Sequence, residues 1–326
     1  MSITETEWGA AIAAIERAEH VTLACHIGPD GDALGSMLAL GLALRARGVH
    51  VDASWGSDPF EAPRQYGFLP GLDLLTPPGG VDAVPPLMIT FDAGSLARLG
   101  SLEANARAAA ALIVVDHHAS NDGFGTVNLI DPDAAASAAI VHELLARLGA
   151  EVDRGIATCL YVGLVTDTGR FQYRNTTPGV HHIAADLVAR GAPQDEIARV
   201  IYDTHPVGYL KLAADVLARL EHRPDADMVW TWFSQQDLAR HGIGMDDTDA
   251  LIDLVRTAEV ADVAVIVKEH ADGRWKVSTR SKGATNVGAI CEANGGGGHA
   301  LAAGFTAPEG EQPAQIIERI VAALRA

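Results

Sequence analysis

Hydrophobic and polar positions alternate along the first half of the chain in a way that predicts strands separated by helices. Short apolar runs predict strands at residues 20–26, 49–54, 86–91 and 112–115. Segments with helical periodicity predict helices at residues 4–19, 32–47, 96–110 and 134–148. This alternation predicts an α/β fold with a mostly parallel sheet and helices on both faces. In such sheets ligands bind beyond the carboxyl ends of the strands.

The second half of the chain has a different pattern. Helices are predicted at residues 177–190, 194–203 and 208–219, and strands return at 228–233, 263–269 and 274–280. Further helices are predicted at 248–258, 286–293 and 312–324. We therefore expect an N-terminal domain over residues 1–190, a helical connector over 191–222 and a smaller C-terminal α/β domain over 223–326.

Charge narrows the range of partners. The 326 residues include 42 acidic and 24 basic side chains, which leaves a net charge of −18. An acidic surface disfavours long duplex nucleic acid, because affinity for such polymers comes largely from Lys and Arg. A small phosphorylated ligand remains compatible, since Arg274, Lys276, Arg280 and Lys282 form one local basic cluster.

Three features that the sequence lacks indicate where the protein is located and that it has no disulfide framework. No apolar run reaches the roughly 18–20 residues of a membrane span, so no membrane association is expected. Residues 1–8 contain Glu5 and Glu7 but no Lys or Arg, unlike a secretory signal. The three cysteines are far apart and form no CxxC pair, unlike a zinc ribbon or disulfide framework. A cytoplasmic protein is predicted.

A polar motif follows the first predicted strand, where His26, Asp30 and Asp32 lie within seven residues. If the turn is extended, the carboxylates of Asp30 and Asp32 face the same way, with His26 behind them. An Asp that caps the next helix is the ordinary alternative, but one cap explains one Asp. A calcium loop needs Glu at its twelfth position, which here is Gly41.

Three more acidic or histidine motifs follow apolar segments. Asp92 comes directly after the strand at 86–91, and Asp116, His117 and His118 come directly after the strand at 112–115. Asp167 follows an apolar helical stretch at 158–165. Adjacent residues on a strand face opposite sides, so we expect only one of the two histidines to bind a given ion.

Together these motifs predict a site for two divalent cations. The candidate ligands are His26, Asp30, Asp32, Asp92, His117 and Asp167. Carboxylates with a few imidazoles and no thiolate favour Mn²⁺, with Mg²⁺ as the alternative, over structural zinc. Two such ions about 3.5–4 Å apart can bind a phosphoryl group and activate a water. The sequence lacks a Walker lysine motif, a G-x-S-x-G motif and an H-E-x-x-H motif.

A glycine run near the C-terminus predicts a second binding element. Backbone N–H groups of Gly296, Gly297 and Gly298 can surround a phosphate, with His299 as an additional donor. A flexible linker is the alternative, but this run lies between a predicted helix and an apolar segment at 300–305. With Arg280 and Lys282 just upstream, we predict a phosphate or nucleotide pocket.

The motifs resemble those of the DHH phosphoesterase superfamily over nearly the whole chain. His26-x3-Asp30-x-Asp32, Asp92, Asp116-His117-His118 and Asp167 resemble its four motifs, and 295–304 resembles the signature of the DHH-associated C-terminal domain. The resemblance is greatest to the NrnA-type proteins. These are nanoRNases that also act as 3′-phosphoadenosine-5′-phosphate phosphatases, and some degrade cyclic di-AMP or its linear product pApA.

The resemblance implies roles for individual residues. It implies one ion at His26, Asp30 and Asp92, and a second at Asp32, Asp92, His117 and Asp167, with Asp92 bridging. It implies that His118 contacts the phosphoryl group with support from Asp116, and that Arg280, Gly297 and His299 hold the substrate. This sequence departs from the family's pattern at Asn294, often aromatic, and Gln172, often Arg.

We therefore expect a two-metal phosphodiesterase, an oligoribonuclease of exonuclease type, that converts short RNA, pApA, cyclic di-AMP and 3′-phosphoadenosine-5′-phosphate to mononucleotides. A homodimer is implied by the resemblance alone. An inorganic pyrophosphatase-like hydrolase is an alternative, although type-II pyrophosphatases lack the glycine–histidine element. A non-catalytic nucleotide-sensing module is another alternative, although a sensor would not require all six candidate ligands.

Overall fold

The computed structural model describes residues 3–325 and divides into two compact units. The first unit ends at Ile201 and the second begins at Tyr202. This boundary falls inside the segment 191–222 that we expected to connect two domains. Among residues 3–325, no helix combines the length and apolarity needed to cross a bilayer.

The first unit contains a five-stranded sheet in which every neighbouring pair of strands is parallel. Its strands are β1 (His20–Cys25), β2 (His50–Trp55), β3 (Met88–Phe91), β4 (Leu112–Asp116) and β5 (Val127–Ile130). The order across the sheet is β2-β1-β3-β4-β5. The parallel α/β prediction is confirmed. Strand β5 was not predicted, because only Leu129 of its four residues is buried.

Helices cover both faces of this sheet. They are α1 (Glu5–Glu16), α2 (Gly31–Ala46), α3 (Glu103–Ala108), α4 (Ser137–Arg147), α5 (Arg154–Asp167), α6 (Pro178–Ala189) and α7 (Gln194–Tyr202). On one face α2 packs on β1 and β2, and α5 packs against α2. On the other face Leu99, Leu102 and Ala106 pack with Ala24 and Met88.

The prediction of one continuous helix at 96–110 is wrong. The chain forms a 3-10 segment at Leu96–Leu102 and then the short helix α3. Gly100 breaks the regular geometry with φ +58°, and a Cβ there would lie 2.5 Å from Ile27 and 2.6 Å from the Gly56 carbonyl. Close packing of this segment against the loops after β1 and β2 therefore prevents a continuous helix.

The second unit is built on a six-stranded mixed sheet. Its elements are α8 (Val207–Ala218), β6 (Glu221–Arg223), β7 (Met228–Phe233), α9 (Gln235–His241), α10 (Leu251–Arg256), β8 (Val263–Glu269), β9 (Trp275–Ser281), α11 (Val287–Ala293), β10 (Gly297–His299), β11 (Ala302–Thr306) and α12 (Pro313–Leu324). The order is β10-β11-β9-β8-β7-β6, and β7 and β8 are parallel while the other neighbours are antiparallel. Separate hydrophobic cores lie on its two faces.

Candidate functional site

The carboxyl ends of the central strands bring the predicted motifs of the first unit together. His26 follows β1 directly, Asp92 follows β3, and Asp116 is the last residue of β4. Because β1, β3 and β4 are neighbouring parallel strands, these three residues lie along one edge of the sheet. His117 and His118 continue from β4 at the same edge.

Asp92 lies at the centre of the cluster. Its Oδ2 is 3.4 Å from His26 Nε2, and its Oδ1 is 3.3 Å from His117 Nε2 and 3.6 Å from His118 Nδ1. Its backbone has φ +54°, in the left-handed region that Asp and Asn adopt more readily than other non-glycine residues. The Asp92 amide still donates to the Val115 carbonyl at 3.0 Å, so β4 holds the strained residue in place.

One possible metal-binding group consists of His26, Asp30 and Asp92. His26 Nδ1 lies 2.9 Å from the Ile27 carbonyl, and this contact leaves Nε2 facing the two carboxylates. Asp30 is the N-cap of α2, where its Oδ1 accepts from the amides of Asp32 and Ala33. Its Oδ2 lies 3.6 Å from His26 Nε2. Asp30 is therefore both a helix cap and a candidate ligand.

A second group consists of Asp32, Asp92 and His117, with Asp167 beside it. His117 Nε2 is 3.0 Å from Asp167 Oδ2 and 3.9 Å from Asp32 Oδ2. The expectation that Asp30 and Asp32 lie in one extended turn is wrong, because Asp32 is already in the first turn of α2. The start of the helix directs the carboxylate of Asp30 toward His26 and that of Asp32 toward His117. Asp92 belongs to both groups.

Asp32 also completes the N-terminus of another helix. Ala136, the N-cap of α4, has no side-chain hydrogen bond to that helix. Instead, Ser137 N and Ala138 N donate to the Asp32 carboxylate at 2.6 and 2.8 Å. A helix N-terminus favours a negative charge at this position. On α5, a Cβ at Gly163 would lie 2.7 Å from Asp32 Oδ1, which requires the smallest residue there.

His118 is held by a chain of side-chain hydrogen bonds. Its Nδ1 is 2.7 Å from Asp116 Oδ1, and Asn121 Nδ2 donates to Asp116 Oδ2 at 2.6 Å. Asp116 is fully buried. Although burial disfavours the charged imidazole, the hydrogen bond to Asp116 raises the pKa of His118.

Sequence reasoning missed several groups that hold these side chains. Asn121 contacts Asp116, Ser137 Oγ lies 3.3 Å from Asp92 Oδ1, and Arg98 Nη2 lies 3.3 Å from His26 Nδ1. None of the three belongs to a spaced motif. Ser137 and Arg98 hold their partners through contacts between distant parts of the chain, which local patterns do not reveal.

Electrostatic strain in the cluster fits a cation-binding role. Burial and repulsion from Asp92 and Asp167 hold the pKa of Asp32 well above its ordinary value. Burial likewise raises the pKa of Asp167 to about 6. Burial also opposes charge on His26, but contacts with Asp30 and Asp92 raise its pKa to about 10. Without a metal ion, protons must compensate the crowded carboxylates. Divalent cations would provide the same compensation, so the donor set fits such ions.

The predicted substrate residues of the second unit lie on its sheet or directly beside it. His299 on β10 pairs with Ala302 on β11, and Ala302 pairs with Arg280 on β9. Paired residues on antiparallel strands share a face, so Arg280 and His299 extend from the same face with the small Ala302 between them. Arg280 Nε is 3.7 Å from Asp253 Oδ1, and the exposed Lys282 donates to the Ala258 carbonyl.

The glycine run is partly a strand. Gly297 and Gly298 belong to β10, which is an edge strand, while Gly296 precedes it. A Cβ on Gly296 would lie 2.1 Å from the Gly304 carbonyl, and Gly298 has φ +134°. One side of this backbone faces away from the sheet, and sheet edges of this kind can bind anions.

Comparisons with known proteins agree with these two units. Residues 20–164 match the DHH family, N-terminal domain, and residues 231–326 match the DHHA1 domain. The bifunctional oligoribonuclease and PAP phosphatase NrnA of Thermus thermophilus is 34% identical over 307 residues, covering 94% of this chain and 89% of its own. A probable bifunctional oligoribonuclease and PAP phosphatase NrnA from Streptococcus mutans is 27% identical, covering 90% of this chain and 91% of its own.

A solved structure shares the fold. An exopolyphosphatase-related protein from Bacteroides fragilis superposes with a TM-score of 0.89 at 22% identity, covering 99% of this chain and 96% of its own. That likeness concerns the fold alone. The identity and coverage shared with the Thermus protein, and the matches to both domain families, settle the relationship: this chain belongs to the DHH family, within the group of NrnA proteins.

Proposed function

We propose that this protein is a two-metal phosphodiesterase that hydrolyses short oligoribonucleotides, pApA and cyclic di-AMP, and 3′-phosphoadenosine-5′-phosphate to mononucleotides. The observation that carries the proposal is the meeting of two candidate ion-binding groups at Asp92. The named activities of the NrnA relatives support oligoribonucleotides and PAP as substrates. The family resemblance extends the proposal to pApA and cyclic di-AMP.

The first unit provides the residues that would hold the cations. We assign one ion to His26, Asp30 and Asp92, and a second to Asp32, Asp92, His117 and Asp167. Oxygen-rich sites with a few imidazoles suit Mn²⁺, which we propose as the preferred ion, with Mg²⁺ as the alternative. When bound, two such cations neutralise phosphate charge and lower the pKa of a water.

The chain's own groups orient the reacting phosphate. His118 Nδ1 donates to the Asp116 carboxylate at 2.7 Å, and the raised pKa of His118 favours the imidazolium form. We therefore assign the second N–H of that ring, on Nε2, as the donor to a phosphoryl oxygen. Asp116 fixes the orientation of the ring through this contact, and Asn121 fixes Asp116. A donor held in advance stabilises the negative charge that develops during phosphoryl transfer without first having to reorganise.

We propose that the second unit recognises the nucleotide. Arg280 and His299 extend from one face of its sheet, where a guanidinium and an imidazole can both bind phosphate oxygens. We assign the backbone of Gly296, Gly297 and Gly298 and the ammonium of Lys282 to the same pocket. The match of residues 231–326 to the DHHA1 domain supports a substrate-binding role for this unit.

A substrate panel tests the proposal. Purified protein with Mn²⁺ is assayed on pApA, a short RNA, 3′-phosphoadenosine-5′-phosphate and pyrophosphate, with Mg²⁺ in parallel. We expect turnover of the nucleotides and little turnover of pyrophosphate. Turnover of pyrophosphate alone would establish the pyrophosphatase-like alternative. Tight nucleotide binding without turnover under any metal would establish the sensing module.

Substitutions in the second unit test where the nucleotide binds. Arg280→Ala and His299→Ala should each weaken the apparent affinity for pApA by about 1.5–3 kcal/mol, because a charge-assisted phosphate contact is lost. Neither should change Mn²⁺ content. Turnover of bis(p-nitrophenyl) phosphate, which has no nucleotide, should fall much less.

Arg274→Ala is the matched control, because this exposed arginine pairs with Asp272 just before the same strand. It should leave both activities near wild type. Equal losses on both substrates, or loss of Mn²⁺, would show that Arg280 and His299 do not recognise the nucleotide.

The assembly and location of the protein remain proposals that the family resemblance supports. We propose a homodimer, which light scattering on the purified protein tests directly. We also propose a cytoplasmic location, as expected for an enzyme of short RNA and small nucleotides. Fractionation of the source cells tests the location.

A further inference from the structure

A second cluster of side chains of the types that bind metals lies at the amino ends of the strands in the first sheet, opposite the Asp92 cluster. His20 and His50 are the first residues of β1 and β2, and they are direct partners in the parallel register. Asp52 is two residues beyond His50, so it lies on the same face of the strand. Ligand atoms of all three side chains lie within 4.8 Å of one another.

The geometry within this cluster is tight. His20 Nε2 is 2.8 Å from Asp52 Oδ2, and the two imidazole rings meet edge to face with centroids 4.6 Å apart. The side chains of His20 and Asp52 are 29% and 17% exposed, and His50 is exposed. An ion from solvent can therefore reach the three groups.

Neighbouring groups hold the carboxylate in place. Thr76 donates its hydroxyl to Asp52 Oδ1 at 2.8 Å, and its amide donates to the Ala53 carbonyl at 2.8 Å. This leaves Asp52 Oδ2 directed at the imidazoles. Thr22, the register partner of Asp52 on β1, is fully buried, and its hydroxyl has no hydrogen-bond partner among residues 3–325.

We propose that His20, His50 and Asp52 form a surface site for a zinc-type transition-metal ion. Two imidazoles and one carboxylate with an open position suit Zn²⁺ and its neighbours in the Irving–Williams order better than Mn²⁺ or Mg²⁺. Ligands about 2.0–2.1 Å from a tetrahedral ion lie roughly 3.3 Å apart. The contact between His20 and Asp52 must therefore open by about half an ångström, which side-chain rotation provides.

This site is separate from the one around Asp92. His20 begins β1 and His26 follows its last residue, which places them about 20 Å apart at roughly 3.3 Å per residue. The ion would join the beginnings of two neighbouring strands. It would bind whether or not the proposed phosphodiesterase activity is correct.

Metal counting tests the proposal. Full-length protein is equilibrated with excess Mn²⁺, dialysed against buffered Zn²⁺, and analysed for bound zinc. We expect His50→Gln and Asp52→Asn each to bind one Zn²⁺ per chain fewer than wild type. Zinc that replaces Mn²⁺ elsewhere cancels in this comparison, since both variants keep the Asp92 site intact. Because His50 is exposed, its replacement should not disturb folding.

His142→Gln is the matched control. His142 also faces a carboxylate on the surface, Asp186 at 3.3 Å, but among residues 3–325 it belongs to no group of three such ligand atoms within 4.8 Å of one another. The His142→Gln variant should bind as much zinc as wild type. Equal zinc in wild type and His50→Gln would overturn the proposal. So would a loss confined to Asp52→Asn, because an ion that binds without His50 is not the one proposed.

Discussion

Among single residues, Asp92 combines an unusual backbone conformation with the central position in the cluster. It faces three imidazoles while its backbone stays in the left-handed region at φ +54°. Such a conformation costs on the order of 1–3 kcal/mol in a non-glycine residue and persists where surrounding contacts impose it. Here it directs both carboxylate oxygens into the cluster. The strain supports the proposal that one side chain serves two ions.

If Asp92 bridges two ions, the Asp92→Asn variant should lose affinity for both of them. Asn tolerates the same backbone conformation, but its amide has one neutral oxygen and cannot serve both groups. We expect turnover to be abolished and binding of both Mn²⁺ ions to weaken strongly. His26→Ala should weaken one ion only. Calorimetric titration with Mn²⁺ measures both variants.

Asp227→Asn is the control for the backbone, because Asp227 also has a positive φ, +47°, but lies in the second unit. Its Mn²⁺ binding should match that of wild type. Two Mn²⁺ ions bound by Asp92→Asn with wild-type affinity would rule out the bridge.

Among the secondary-structure elements, the close crossing of α2 and α5 positions the ligands. Asp32 lies in the first turn of α2 and Asp167 ends α5, so the distance between the helices fixes the distance between their carboxylates. Gly35 permits this crossing, because a Cβ there would lie 2.3 Å from the Cys159 carbonyl. The Cys159 carbonyl belongs to the backbone of α5, so it cannot move aside as the end of a flexible side chain could.

Gly35→Ala should therefore lower the free energy of unfolding by about 1–3 kcal/mol, the usual cost of overpacking. Because the helices must separate, Mn²⁺ affinity should fall as well. Gly9→Ala is the matched change, since Gly9 lies inside α1 and a Cβ there meets nothing within 4 Å. Gly9→Ala should raise the free energy of unfolding by about 0.5–1 kcal/mol, because alanine favours a helix more than glycine does. Urea denaturation compares the two, and similar effects would contradict the packing argument.

For the whole molecule, the candidate ligands and the proposed nucleotide-binding residues belong to different units. All six ligands precede Tyr202, and the second unit has hydrophobic cores of its own. Ile317→Ala, at a buried position of α12, should cost about 2–5 kcal/mol. Below its unfolding temperature, this variant should still bind two Mn²⁺ per chain.

Thermal denaturation and Mn²⁺ titration of the Ile317→Ala variant test this separation. Leu144→Ala, at a fully buried position of α4, makes a matched cavity in the first unit. It should reduce Mn²⁺ affinity together with stability, because α4 donates to Asp32. If Ile317→Ala also lost Mn²⁺ while folded, the assignment of the ligands to the first unit alone would be wrong.

The sequence by itself determined the strand–helix alternation, the parallel sheet and the identity of all six candidate ligands. Buried parallel strands are apolar runs, and a site at their carboxyl ends must follow them, so His26, Asp92 and His117 are visible from local pattern. Short or half-exposed strands such as β5, β6 and β10 were not predicted from the sequence. Few of their residues are buried, and they form only by pairing with other strands of the sheet.

Only the tertiary structure decided how these residues combine. It showed that Asp30 caps α2 with one carboxylate oxygen and faces His26 with the other, and that Asp92 belongs to both groups. It showed that α4 takes its cap from Asp32, and that Gly100 breaks a helix which local periodicity favoured. It also brought His20, His50 and Asp52 together, although 30 positions separate the two histidines. Strand register, helix crossings and caps between elements depend on contacts between distant residues, which local patterns do not contain.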